Sequence, residues 1–175
     1  MSQIIPLLIF STLVSISHGS ALIYAKSQQN HPYKKRERAW QVHSFINGSL
    51  WLVLSVWILW FQWASPHSAY PLWLETIGFI TLIAGLCLSV KSRLLLGPHQ
   101  AMGIRFFLPE KSKKITSSLY SFLNNPMYDG FILILMSMGL IFGVEADFYL
   151  AALSFILLNI FLASIENYRW RWNPF

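Results

Sequence analysis

Apolar residues in this chain run in long stretches and do not alternate with polar ones. Five such stretches stand out, from about Ile4 to Ala25, Ser44 to Trp63, Tyr70 to Val90, Pro126 to Val144 and Phe148 to Ile165. A helix needs about 20 mostly apolar residues to cross a bilayer, and each stretch approaches that length. The runs are too long and too continuous for strands. A membrane barrel would need many alternating segments of about 10 residues. The pattern therefore predicts an all-α fold, a polytopic membrane helix bundle with about five transmembrane helices. The last two would form a C-terminal helical hairpin. With no internal repeat or low-complexity tract, residues 1–175 read as a single membrane domain.

Composition sharpens this picture. Hydrophobic residues make up 55% of the chain and charged ones only 11%. A soluble domain usually carries about 25% charged residues, so this chain cannot cover a water-facing surface. Disorder needs the opposite composition. The single Cys87 excludes a disulfide framework or a multi-cysteine metal site within one chain. His18, His31, His43 and His67 lack the paired spacing of metal ligands, so no metal is expected. His43, at the edge of the second stretch, reads as interfacial. Met1 to Ala21 ends in small residues like a signal peptide, but nothing before Lys26 is basic, so it reads as a retained first span.

The 13 Lys and Arg against 7 Asp and Glu give a net charge of +6. Their positions decide what that means. Lys26, Lys34, Lys35, Arg36 and Arg38 fall in the first connection. Lys91, Arg93, Arg105, Lys111, Lys113 and Lys114 fall in the third, and Arg169 and Arg171 in the tail. With five spans, all basic residues share one side. The positive-inside rule makes that side cytoplasmic, with the N-terminus outside and the C-terminus inside. The charge thus points to a membrane-lipid partner and not to nucleic acid.

The long connection from Gly97 to Asn125 has its own pattern. Phe106 and Phe107 lie just before Pro109. Ile115, Leu119, Phe122 and Leu123 recur at helical spacing beside Lys111, Lys113 and Lys114. This predicts a short basic helix lying in the headgroup layer.

Candidate chemistry concentrates at two places. In Asn124-Asn125-Pro126-Met127-Tyr128-Asp129-Gly130, Asn125 suits an N-cap and Pro126 a first helical residue. Asp129 falls in the first turn, where the helix dipole favours negative charge. Such a helix start presents unpaired N–H groups to a carboxylate or phosphate. The second place is Glu166, which ends the apolar run of the fifth span. A tight hairpin through Gly143 to Asp147 returns Tyr128 and Glu166 to the same face, at about 1.5 Å per residue. Donors for an anion and a carboxylate for a cation then meet on the basic side.

Gly103-Ile104-Arg105-Phe106-Phe107, Leu123-Asn124-Asn125-Pro126-Met127-Tyr128 with Gly130, and Ile165-Glu166-Asn167 together resemble the integral-membrane methyltransferases. These include the phosphatidylethanolamine N-methyltransferases and the isoprenylcysteine carboxyl methyltransferases, and Asn125 to Tyr128 is closer to the phospholipid branch. The resemblance covers about Gly97 to Tyr168. It implies S-adenosylmethionine as cofactor and residues 97–175 as the cofactor-binding and catalytic region. Gly97, Gly103, Asn125, Pro126, Tyr128, Gly130, Glu166 and Asn167 are its expected cofactor-binding residues, with Tyr128 and Glu166 the catalytic ones. Gly97 matches the last glycine of the phospholipid branch's glycine motif, while Leu95 stands where its first would be. Glu166 matches the first residue of the family's Glu-Glu pair, and Asn167 replaces the second. The resemblance implies methyl transfer to a lipid or lipid-like acceptor, with a phospholipid amine favoured. The alternatives are an isoprenylcysteine carboxyl or small-thiol methyltransferase, and a non-catalytic membrane protein of the same fold.

Overall fold

A computed structural model describes residues 4–27, 29–65, 70–112, 118–123 and 125–166. Five long helices occupy the five apolar stretches: α1 (Ile4–Ser27), α2 (Tyr33–Ala64), α3 (Leu72–Leu96), α6 (Pro126–Phe142) and α7 (Glu145–Glu166). The long connection carries two single-turn helices, α4 (Pro98–Ala101) and α5 (Ile104–Phe107). It also holds two 3-10 turns, Pro109–Lys111 and Ser118–Ser121. No strand occurs among the described residues. The all-helical bundle expected from the apolar pattern is the observed fold.

Two expectations are corrected. Lys34, Lys35, Arg36 and Arg38 do not lie in a loop but on the first turns of α2, which starts at Tyr33 and runs for 32 residues. Pro32, at φ −53°, sets that start. The charged residues after it are good helix formers, so the helix extends beyond its apolar part. The headgroup helix expected around Lys111 to Leu123 does not begin at Lys111. There a 3-10 turn ends, and Ser112 is extended at φ −86° and ψ 136°. Leu119 belongs to the second 3-10 turn and Phe122 follows it, while Lys113, Lys114 and Ile115 lie outside the described residues.

The other boundaries follow local chemistry. α3 stops at Gly97, whose φ of +74° suits a residue without Cβ. α6 ends at Gly143, in the left-handed region at φ +67°, where its N–H reaches the Gly139 carbonyl at 3.0 Å. Only Gly143 and Val144 separate α6 from α7, so Glu145 and Asp147 fall in the first turn of α7, where negative charge suits the dipole. α1, α2 and α3 are long and apolar enough to cross a membrane. The 17 residues of α6 span about 25 Å, somewhat less than the hydrocarbon core of about 30 Å.

Packing divides into two cores and one helix pair. The central core joins Leu7 and Val14 of α1, Leu54, Ile58 and Phe61 of α2, Ile132 and Leu135 of α6, and Leu150 of α7. A second core at the basic end packs Leu22 and Ala25 of α1 against Ile104, Phe106, Phe107 and Leu108. α3 stands apart and packs on α6 through small residues. A Cβ built on Gly78 would come within 2.8 Å of Ile141, and one on Gly85 within 2.9 Å of the Gly130 carbonyl. Large apolar side chains point away from the bundle, among them Trp63 at 83%, Leu72 at 78% and Leu94 at 78% exposed. Water would penalise that surface, whereas lipid tails accept it.

A polar clamp fastens the second core. Arg36 of α2 donates to Glu110 at 2.8 and 3.2 Å, to the Phe107 carbonyl at 3.2 Å and to the His31 carbonyl at 3.0 Å. Lys111 donates to Glu37 at 3.0 Å, and the Tyr33 hydroxyl donates to the same oxygen at 3.1 Å. Lysine has no planar fork to share among these acceptors. Arg36→Lys is therefore expected to speed amide hydrogen exchange across Ile104–Lys111 several-fold, and unchanged exchange would count against the clamp. The exposed Glu37→Gln should change it much less.

The clamp also has a pH signature. The bond from Lys111 holds the Glu37 carboxyl below its ordinary value of 4.5. Glu110 is lowered by its own backbone N–H and then by Arg36. A carboxylate lowered on folding contributes fully above its unfolded value and loses that contribution as pH falls through the folded one. Protection of the loop should thus be level above about pH 4.5 and drop at lower pH. Exchange measured from pH 3 to 7 checks this.

Candidate functional site

The start of α6 is built as its sequence demands. Asn125 is the N-cap, and its side-chain oxygen accepts from the Tyr128 N–H at 3.4 Å. The Asn125 carbonyl accepts from Tyr128 at 2.9 Å and from Asp129 at 3.1 Å. Pro126, buried, occupies the first helical position and has no N–H. Among the first-turn donors, the Met127 N–H makes no hydrogen bond within the described residues. The helix start thus offers one free donor where sequence alone suggested several. Tyr128 and Asp129 are half-buried.

Gly130 has a tight structural contact. A Cβ there would lie 2.4 Å from Ser89 Oγ and 2.8 Å from both the Gly85 carbonyl oxygen and the Ser89 nitrogen. It lets the backbone of α6 touch α3. Gly97 is different, because a Cβ there would meet nothing within 4 Å among the described residues. Gly103, left-handed at φ +79°, lies against α1, with Leu22 2.9 Å from a built Cβ.

These residues share one end of the bundle. α3 and α6 are antiparallel, with Gly78 opposite Ile141 and Gly85 opposite Gly130 and Ile134. That register carries the end of α3, with Gly97, to the start of α6. α7 runs back beside α6, with Phe148 against Gly139. Its 22 residues against the 17 of α6 extend it about 7 Å past Pro126, to the level of the connecting loop. Glu166 is its last residue, and Asn167 lies outside the described residues. Lys91, Arg93 and Arg105, all exposed, sit at this same end.

Sequence reasoning overlooked several buried polar side chains. Ser92 of α3 is fully buried, and neither its hydroxyl nor that of Ser89 has a hydrogen-bond partner among the described residues. Gly78, Gly85, Ser89 and Ser92 form a small-residue stripe at helical spacing, a signal that was available in the sequence. His43 is buried, stacked between His18 at 5.3 Å and Phe107 at 5.1 Å. Gln62 donates to the buried Asp147 across α2 and α7. Neither contact joins residues close in sequence.

Outward apolar helices around a packed core, with a polar, basic end where three helix termini gather, define a helical membrane protein. The phospholipid methyltransferase family model matches residues 73–169, more than half of the chain, and the protein belongs to that family. Comparison with curated proteins and with solved structures gave no match. Membership supports a membrane methyltransferase in general and implies S-adenosylmethionine as the methyl donor of the family. The polar end fits such a group. Among the described residues, nothing crowds the Gly97 backbone and the Met127 N–H has no partner, so it can meet a carboxylate.

Proposed function

We propose that this protein methylates the amine of a phospholipid at the cytoplasmic face of a membrane that it crosses five times. The observation that carries the reading is the gathering of Gly97, Asn125 to Tyr128 and the end of α7 at the basic end of the bundle. Residues 97–175 then form the catalytic region within one membrane domain. S-adenosylmethionine, when bound, supplies a methyl group on a sulfonium. Gly97, Gly103 and Gly130 let backbone approach ligand or neighbouring helix, and Asn125 with Pro126 fixes the first turn of α6. Tyr128 and Glu166 are the residues assigned to the reacting groups, with the Glu166 carboxylate to supply the negative charge that the cofactor's ammonium or sulfonium needs. Asn167 adds hydrogen bonds without charge. Methyl transfer depends above all on alignment, which rigid helix ends provide.

Calorimetry on the purified protein tests the reading. S-adenosylmethionine should bind, and Glu166→Ala should weaken binding at least about tenfold, the scale expected when a charged hydrogen-bonding partner is lost. Failure to bind in several detergents and in lipid would sink the reading. The neutral Asn167 favours a second one, a membrane protein of this fold without catalysis. A transfer screen across amine lipids, prenylcysteines and small thiols separates the cases. Label on amine lipids supports the main reading, label only on prenylcysteines or thiols redirects it, and no label in any lane favours the non-catalytic one.

A further inference from the structure

One open cleft is built by α1, α2 and the connecting loop together. Tyr24 of α1, His31 of the turn and Lys35 of α2, all exposed, form its rim, with Arg36 beside them. Ala25 and Phe107, 3% and 4% exposed, form the floor with the half-buried Ala39. The family match begins at residue 73, so α1 and α2 lie outside it, and nothing in the methyltransferase reading uses this cleft.

The rim carries donors that the fold leaves unused. The Lys35 ammonium, the Tyr24 hydroxyl and the His31 ring make no hydrogen bond or ion pair among the described residues. Arg36 is committed to Glu110 and to the His31 and Phe107 carbonyls. No Asp or Glu is among the described residues lining the cleft, and the clamp carboxylates Glu110 and Glu37 are already paired with Arg36 and Lys111. Such a rim suits a phosphate, whose oxygens accept hydrogen bonds and balance an ammonium. It offers no carboxylate to a headgroup that also carries a positive charge.

The floor lies deeper in the membrane than the rim. α2 runs from Tyr33 toward Leu54 in the central core, so Ala39 is one turn further in than Lys35, about 6 Å along the axis. The headgroup layer on each side of a bilayer is about 5–8 Å thick. A lipid phosphate at Lys35 therefore brings the start of an acyl chain to the level of Ala39, on apolar surface. A free phosphate has nothing to place there. We propose that this cleft seats one anionic phospholipid, its phosphate held by Lys35, His31 and Tyr24 and its chain laid over Ala39 and Phe107. Arg36 borders the cleft and donates to the Phe107 carbonyl, so the seated lipid also steadies the loop that leads to the candidate site.

Native mass spectrometry of the full chain in a neutral detergent tests the site by counting bound lipids. The probes are dioleoylphosphatidylglycerol, dioleoylphosphatidylcholine with the same chains, and inorganic phosphate. Neutral detergent has no charged surface, so only a seated lipid is read. The first phosphatidylglycerol should bind about fivefold or more tighter than the first phosphatidylcholine, the scale for one basic side chain against an anionic lipid. Lys35→Gln should abolish that preference. Lys34→Gln deletes the same charge one position away, outside the cleft, and should keep the preference within twofold. Both lysines are exposed, so both variants should fold. Phosphatidylglycerol should also slow amide exchange across Ile104–Lys111 in the parent and not in Lys35→Gln. Equal affinity for the two lipids, phosphate binding as tightly as phosphatidylglycerol, or equal losses in the two lysine variants overturns the site. Tight binding with unchanged exchange overturns its link to the loop. S-adenosylmethionine binding, measured separately, decides the methyltransferase reading and is independent of these results.

Discussion

Gly130→Val is expected to cost this protein most of its folded stability and its cofactor binding with it. The added Cβ alone would sit 2.8 Å from the Gly85 carbonyl oxygen and from the Ser89 nitrogen, and 2.4 Å from Ser89 Oγ. Two of those three atoms are backbone and cannot rotate away, so α3 and α6 must separate. Little else holds α3, whose buried residues are Gly78, Gly85 and Ser92. In lipid the hydrophobic effect does not press helices together, and close packing of small residues does that work instead. Overpacking usually costs about 1–3 kcal/mol, and a whole isopropyl group pressed against backbone belongs at or above the upper end. At about 2–4 °C per kcal/mol for a chain of this size, the melting temperature should fall by roughly 10 °C or more. Gly130→Ala should fall less, and Gly48→Ala, whose Cβ meets Met102 at an ordinary 3.5 Å, should melt like the parent. A Gly130→Val protein with the parent's melting temperature would show that the two helices are not in backbone contact.

The second large effect is expected at the other end of the bundle. Asp147 is fully buried and Gln62 is 5% exposed, and the Gln62 amide donates to the Asp147 carboxyl. Gln62→Leu removes that donor and leaves a buried carboxyl short of partners. Hydrogen bonds to charged groups contribute about 1.5–3 kcal/mol, and an orphaned buried group costs its full desolvation penalty. The single variant should therefore unfold earlier by roughly 2–3 kcal/mol in a denaturant titration. Replacing both residues by Leu removes donor and acceptor together. The double variant should recover most of the loss, because the donor and the acceptor of that bond are then both gone. Strictly additive losses in this double-mutant cycle would show that the two side chains do not interact.

The two experiments probe features of different legibility. The α6 start could be read residue by residue, because an N-cap is local chemistry: Asn125 caps, Pro126 follows, and the structure keeps both. How many N–H groups remain there could not be read as easily. It depends on Asn125 bonding through both its side chain and its carbonyl. The helix through Lys34 to Arg38 is not legible from charge, which marks where a span leaves the membrane and not where its helix ends. Gly130 belongs to a short motif in the sequence, but its contact with Gly85 and Ser89 needed the α3–α6 register.

The sequence by itself determined the class of fold, the helix caps and turns, and the concentration of basic residues that marks one end of the bundle. Each of these follows from neighbours along the chain, from the length of an apolar run, a capping side chain or a glycine after a helix. Only the tertiary structure decided which faces meet. It stacked His18 on one face of His43 and Phe107 on that same ring, linked Gln62 to Asp147, and brought Arg36 to Glu110. Those contacts join residues from 25 to 85 positions apart. No local pattern encodes them, because they arise from the angle and register at which helices pack, and these depend on all the side chains in the interface together.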